Sequence, residues 1–157
     1  MPNPPLSIII RDVLKDNNGF GPHLMIDLNE CDSKKLDNLD LCFSFLDDLP
    51  DLIHMTKITQ PHVFRYSGLV PEDKGITGMV IIAESHITIH TFPLKEYAFI
   101  DIFSCKPFDT DRALQHAIQL FGSKDPIHFI QGRGEKFPRD SFQPKVVLHK
   151  ERVFAAS

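Results

Sequence analysis

Along the chain, apolar residues switch between two periods, and the switches mark out the elements. A stretch punctuated by Pro2, Pro4, Pro5, Asn17, Asn18, Gly19, Gly21 and Pro22 comes first, with one short apolar run, Ser7 to Ile10, fit for an edge strand. His23 to Leu28 (HLMIDL) then alternates as a strand does. Asp32 or Ser33 is placed to cap a helix with Leu36, Leu39, Phe43 and Leu46 on one face, and Pro50 limits it. Lys57 to Tyr66 has strand composition in spite of Pro61, and Ser67 to Gly75 (SGLVPEDKG) reads as a polar loop. Two long strand patterns follow, Gly78 to Phe92 (GMVIIAESHITIHTF) and Tyr97 to Cys105. The first, at about 15 residues, exceeds ordinary strand length and is expected to break near Ala83 to Ser85. Thr110 is placed to cap a second helix in which Ala113, Leu114, Ala117, Ile118 and Phe121 share a face, and Gly122 ends it. Pro126 to Gln131 is a last strand, and Gly132 to Ser157 shows no period. Strands with two helices in this order predict an α+β fold, a two-layer αβ sandwich of an antiparallel sheet and two helices.

Composition narrows the picture without redirecting it. A chain of 157 residues with 42% hydrophobic and 24% charged positions is expected to form a single core. No apolar run reaches the roughly 18 residues that a membrane span needs, and Leu6 to Ile10 is followed too soon by Arg11 and Asp12 to be a signal peptide, so a cytosolic protein is expected. A formal charge of -4 with scattered basic residues lacks the footprint of a nucleic-acid partner. Three cysteines, Cys31, Cys42 and Cys105, without C-x-x-C spacing, fit neither a disulfide framework nor a zinc site.

The candidate chemistry lies where the long strand is interrupted, at Glu84, Ser85, His86 and His90. A plain alternating strand would simply turn His86, Thr88, His90 and Phe92 to solvent. A metal site does not fit, because His86 and His90 in extended chain lie about 13 Å apart. Nor can His90 serve as base to its own Ser85, since five strand residues separate them by roughly 16 Å and turn them to opposite faces. Cys105 is different. If Pro93 to Glu96 makes a hairpin turn, residues whose numbers sum to about 189 face each other, and Ser85 falls beside Ser104 and Cys105.

The run Glu84-Ser85-His86-Ile87-Thr88-Ile89-His90-Thr91, followed by an aromatic residue and Pro93 and then by Asp101-Ile102-Phe103-Ser104-Cys105, resembles the signature of the prokaryotic S-adenosylmethionine decarboxylases. The likeness spans His23 to about Gly134, leaving residues 1–22 as an arm and 135–157 as a tail. It implies autocatalytic cleavage between Glu84 and Ser85, mature chains 1–84 and 85–157, and a pyruvoyl group generated from Ser85 as the sole cofactor. It implies also that Cys105 returns a proton to the substrate's α-carbon, that His90 and Thr77 assist processing, and that a small-molecule substrate is bound by aromatic residues, Phe64 or Tyr66 together with Phe92. Because His90 cannot reach its own Ser85, a two-fold homodimer with shared sites is expected, in agreement with the family's αββα arrangement. His86 is taken as structural, and His62, His116, His128 and His149 have no chemical context.

The sequence departs from the family at one informative place. Where the family has Trp-Pro-Glu, with the glutamate holding ribose hydroxyls, this chain has Phe92, Pro93 and Leu94. Glu96, two residues on, is the substitute carboxylate. Two alternatives therefore stand beside S-adenosylmethionine decarboxylation for spermidine synthesis. One is the same self-cleaving chemistry on another amino acid, such as ornithine or arginine. The other is an unprocessed, non-catalytic homologue acting as a regulatory partner.

Overall fold

The computed structural model describes residues 19–138. The edge strand expected at Ser7 to Ile10, His149 and most of the tail lie outside the described residues. Six strands, β1 (Gly21–Asn29), β2 (His62–Tyr66), β3 (Gly75–Ile82), β4 (Ser85–Phe92), β5 (Tyr97–Ser104) and β6 (Asp125–Arg133), form one sheet in the order β2-β3-β4-β5-β1-β6. Every neighbouring pair is antiparallel. Three helices, α1 (Ser33–Leu36), α2 (Leu39–Leu52) and α3 (Thr110–Phe121), complete the α+β sandwich.

Alternation along the strands sends one residue in two into the core. Leu24, Ile26, Leu28, Ile87, Ile89, Ile100 and Ile102 are buried there against Phe45, Leu46, Leu49, Ala113, Ala117 and Phe121 of the longer helices. The opposite face of the sheet is uncovered, and Phe64, Met79, Phe99, Ile127 and Phe129 on it are exposed. Gly75 permits the close approach of β3 to β4, since a Cβ there would lie 1.8 Å from the Thr91 carbonyl oxygen.

Two helices were expected and three are found, because the first is split. Asp32 caps α1, its carboxylate accepting from the Lys34 and Lys35 amides at 2.9 and 3.2 Å. Asn38 then starts α2 afresh by accepting from the Leu41 amide at 3.0 Å. That second start resets the helical phase, so the buried stripe is Cys42, Phe45, Leu46 and Leu49, and Phe43 points outward. Pro50 lies inside the last turn of α2 and does not end it. A proline there removes a single hydrogen bond, and its ring is buried.

Three boundaries also move. Lys57 to Tyr66 is strand only from His62 on, because Pro61 has no amide to donate, and Lys57 makes an isolated bridge to Ile82. The polar loop ends at Lys74, with Gly75 already paired to Tyr66. Asp109, rather than Thr110, caps α3 by accepting from the Arg112 amide at 2.9 Å, while Gly122 closes that helix with φ of 69°.

Candidate active site

Strands β3 and β4 meet in a two-residue turn, Ala83 and Glu84, with Ile82 paired to Ser85. The long strand pattern therefore breaks where its polar residues begin. On the other side of β4, the short turn at Pro93 to Lys95 fixes the register with β5, and Ser85 pairs with Ser104 as the hairpin arithmetic requires. Cys105 follows directly, buried, with its amide donating to the Glu84 carbonyl at 3.0 Å. Serine, thiol and the peptide between residues 84 and 85 thus share one end of the sheet.

The surroundings of that peptide are polar and well partnered. The Ser85 hydroxyl lies 3.1 Å from His86 Nδ1. His86 is held below the ordinary histidine pKa, first by burial and next by the nearby His23, with Asp101 opposing and Arg133 reinforcing the shift. A neutral imidazole can accept the serine's proton. Glu84 is buried, yet its carboxylate meets Lys106 Nζ at 2.8 Å and the Thr56 amide at 3.0 Å. His86 was read from the sequence as structural, and Lys106 was not singled out. Continuing the hairpin register one step past Cys105 would have put Lys106 opposite the turn.

The other end of β4 has a different character. Thr77 pairs with His90 across β3 and β4, and the threonine hydroxyl lies 3.2 Å from His90 Nδ1. Phe64 is opposite Thr77 on β2, which brings these residues to a cleft of about 320 Å³ lined also by Tyr66, Phe92 and Asp73. Phe92 meets Phe99 edge-on at 5.8 Å between centroids. Both aromatic candidates, Phe64 and Tyr66, line the cleft. Glu96 does not, since it lies on a separate surface among Glu30, Lys34 and Lys35. Asp73 is the carboxylate that the cleft does contain, and it also pairs with Lys95.

Within one protomer these two ends remain apart by the length of a strand, so Ser85 and Cys105 are not joined to His90 and Thr77. The other two thiols are buried, which pushes Cys31 up to about 11 and Cys42 up to about 12 and disfavours their thiolates. Among the described residues no group of three or more His, Cys, Asp or Glu is arranged to hold a metal ion. None of the described helices is long and apolar enough to cross a membrane. A pyruvoyl group made in place fits the residues present, because Ser85 opens β4 at a turn and has Cys105 as a close neighbour.

An antiparallel αβ sandwich with a serine at a hairpin turn and a thiol beside it defines a narrow class, and comparison with known proteins agrees. The family model described as S-adenosylmethionine decarboxylase matches residues 22–133. A proenzyme of that name from Thermodesulfovibrio yellowstonii is 34% identical over 134 residues, covering 84% of this chain and 94% of the relative. Another from Thermotoga petrophila is 32% identical and covers 78% of this chain and 93% of its own. The crystal structure of the adenosylmethionine decarboxylase from Aquifex aeolicus superposes with a TM-score of 0.64 at 29% identity, over 74% of this chain and 92% of that one. The chain belongs to the S-adenosylmethionine decarboxylase family. With that membership, the expectation of a pyruvoyl-dependent carboxy-lyase stands.

Proposed function

We propose that this chain is a proenzyme that cuts itself between Glu84 and Ser85 and then decarboxylates S-adenosylmethionine, supplying the aminopropyl donor for spermidine synthesis. The observation that carries the reading is the turn itself, which presents the Glu84–Ser85 peptide beside Cys105 with the Glu84 carbonyl already accepting a hydrogen bond. Ser85 Oγ, its proton shared with His86, attacks that carbonyl carbon. The C–N bond breaks, a C–O ester bond forms, and the serine's proton ends on the freed nitrogen. A base then removes the α-hydrogen of residue 85, the Cβ–O bond breaks, and Glu84 leaves as a carboxylate. Water finally displaces ammonia from the dehydrated residue, which completes the ketone.

His90 is the base in this reading, and a second subunit supplies it. Thr77 fixes the orientation of its ring. The uncovered face with Phe64, Met79, Phe99, Ile127 and Phe129 supports a homodimer of αββα form, because large exposed apolar patches mark association surfaces. A pyruvoyl group at position 85 would supply the electron sink that decarboxylation needs, with Cys105 beside it. Cys105 then returns a proton to the α-carbon. Phe64, Tyr66 and Phe92 stack on the nucleoside and face the sulfonium, and Asp73 takes the ribose hydroxyls in place of the carboxylate missing at Leu94. The three aromatic rings offer stacking faces to a purine base, which ornithine and arginine lack.

Intact-mass measurement under denaturing conditions, with and without borohydride, tests the reading. Two fragments divided after Glu84, the second bearing a reducible carbonyl, are expected, followed by turnover of S-adenosylmethionine in preference to ornithine and arginine. One uncut chain would overturn it in favour of a non-catalytic homologue.

A further inference from the structure

The residue ahead of the proposed cut is charged and buried, which is costly unless the charge is answered. Glu84 is 7% exposed. Lys106 answers it, and Lys106 is itself well anchored. Its ammonium donates also to the His54 carbonyl at 3.0 Å, its amide donates to Ser104 Oγ at 3.1 Å, and the same hydroxyl donates to the Lys106 carbonyl at 2.7 Å. Ala83 adds an amide bond to the Thr56 carbonyl at 2.8 Å. The turn is thus fastened to the segment His54 to Thr56 through Ala83, the Glu84 carboxylate and the lysine. No other salt-bridge partner of Glu84 is found among the described residues.

We propose that Lys106 is a positioning residue for self-cleavage, cancelling the Glu84 charge beside the carbonyl that becomes negative during attack. The inference rests on the cleavage reading above. As the Ser85 Oγ–carbon bond forms, negative charge collects on the Glu84 carbonyl oxygen, to which Cys105 already donates. The buried side-chain carboxylate of that same residue would repel it, in a pair whose lysine side chain is 46% exposed and so partly screened by water. An ammonium on the carboxylate removes this repulsion before attack begins. The breakdown that follows splits the C–N bond and sends the serine's proton to nitrogen, so no further reactant is needed.

The test is the rate at which full-length chain, pulse-labelled in cell-free translation, separates into two fragments. Lys106→Met is expected to slow separation about tenfold or more, and Lys106→Arg to stay near wild type. Glu84→Gln removes the charge that needs cancelling, so the double variant Glu84→Gln/Lys106→Met should recover most of the lost rate. A merely structural role would give the same recovery but with melting temperature falling and returning in step with the rate. Melting of the same substitutions on a Ser85→Ala background, which cannot cut, separates misfolding from slow chemistry. Lys106→Met cutting as fast as wild type, or a double variant as slow as Lys106→Met, overturns the charge-cancelling role while leaving the decarboxylase reading intact. A wild-type chain that never cuts removes both.

Discussion

The two ends of β4 are built on opposite plans. At Ser85 the groups are small, polar and fastened to one another, with Glu84, His86, Ser104 and Lys106 each in a hydrogen bond or ion pair. At Phe92 the sheet spreads the exposed rings of Phe64 and Tyr66 and the half-buried ring of Phe92 around a cleft that Thr77 and His90 also line. Reaction chemistry requires fixed geometry, whereas recognition of a flat base requires open ring faces. One strand carries both ends, with Ser85 and His90 five residues apart along it.

The sharpest way to break this division is Ser85→Ala, which should abolish cutting and all turnover, leaving a single chain by intact mass. His90→Ala should slow cutting about a hundredfold, the scale of a lost general base. Co-expressing it with Ser85→Ala should restore cut chain, because a mixed dimer contains one site with both groups. A failure to restore would place serine and histidine in the same protomer and sink the shared-site reading. Cys105→Ala should still cut yet turn over about a hundredfold more slowly, seen by separating processing from carbon dioxide release. Asp73→Asn should raise KM for S-adenosylmethionine about tenfold with little change in kcat, confining its effect to the recognition end.

The smallest effect expected is on stability. His86 and His116 are both held below the ordinary histidine value chiefly by burial. As pH falls below about 6.5, the unfolded chain takes up protons that the folded one refuses, so stability is full above that value and declines beneath it. His116 stacks on Phe45, and its Nε2 has no hydrogen-bond partner among the described residues, so an apolar side chain there costs that nitrogen no hydrogen bond. His116→Leu on the Ser85→Ala background should reduce the drop in melting temperature between about pH 7 and 5.5 by a few degrees.

Much of this was legible in the sequence for an identifiable reason. A short turn fixes a hairpin's register, so a turn over Pro93 to Glu96 implied that Ser85 would meet Ser104 and Cys105. Helix phase was less legible, because Asn38 competes as a cap and shifted the buried stripe by one residue away from Phe43. Glu96 was read as a substitute two residues on, yet it closes the Pro93–Lys95 turn in left-handed backbone, φ 51°, and lies among Glu30, Lys34 and Lys35 outside the cleft. The roles of His86 and Lys106 depend on how the turn docks against His54 to Thr56, a contact between distant segments that no local pattern encodes.

The strand order has a consequence for the molecule after cutting. A break after Glu84 would assign β1, β2 and β3 to one fragment and β4, β5 and β6 to the other. In the sheet they alternate, with β4 and β5 lodged between β3 and β1, and β6 beyond β1. Three rows of main-chain hydrogen bonds then join the pieces, so neither can diffuse away without dismantling the sheet. Assembly becomes history-dependent. A single thread can find this topology unaided, but two separated pieces must meet in solution first, and their recovery from denaturant should depend on concentration where that of the intact precursor monomer fold does not.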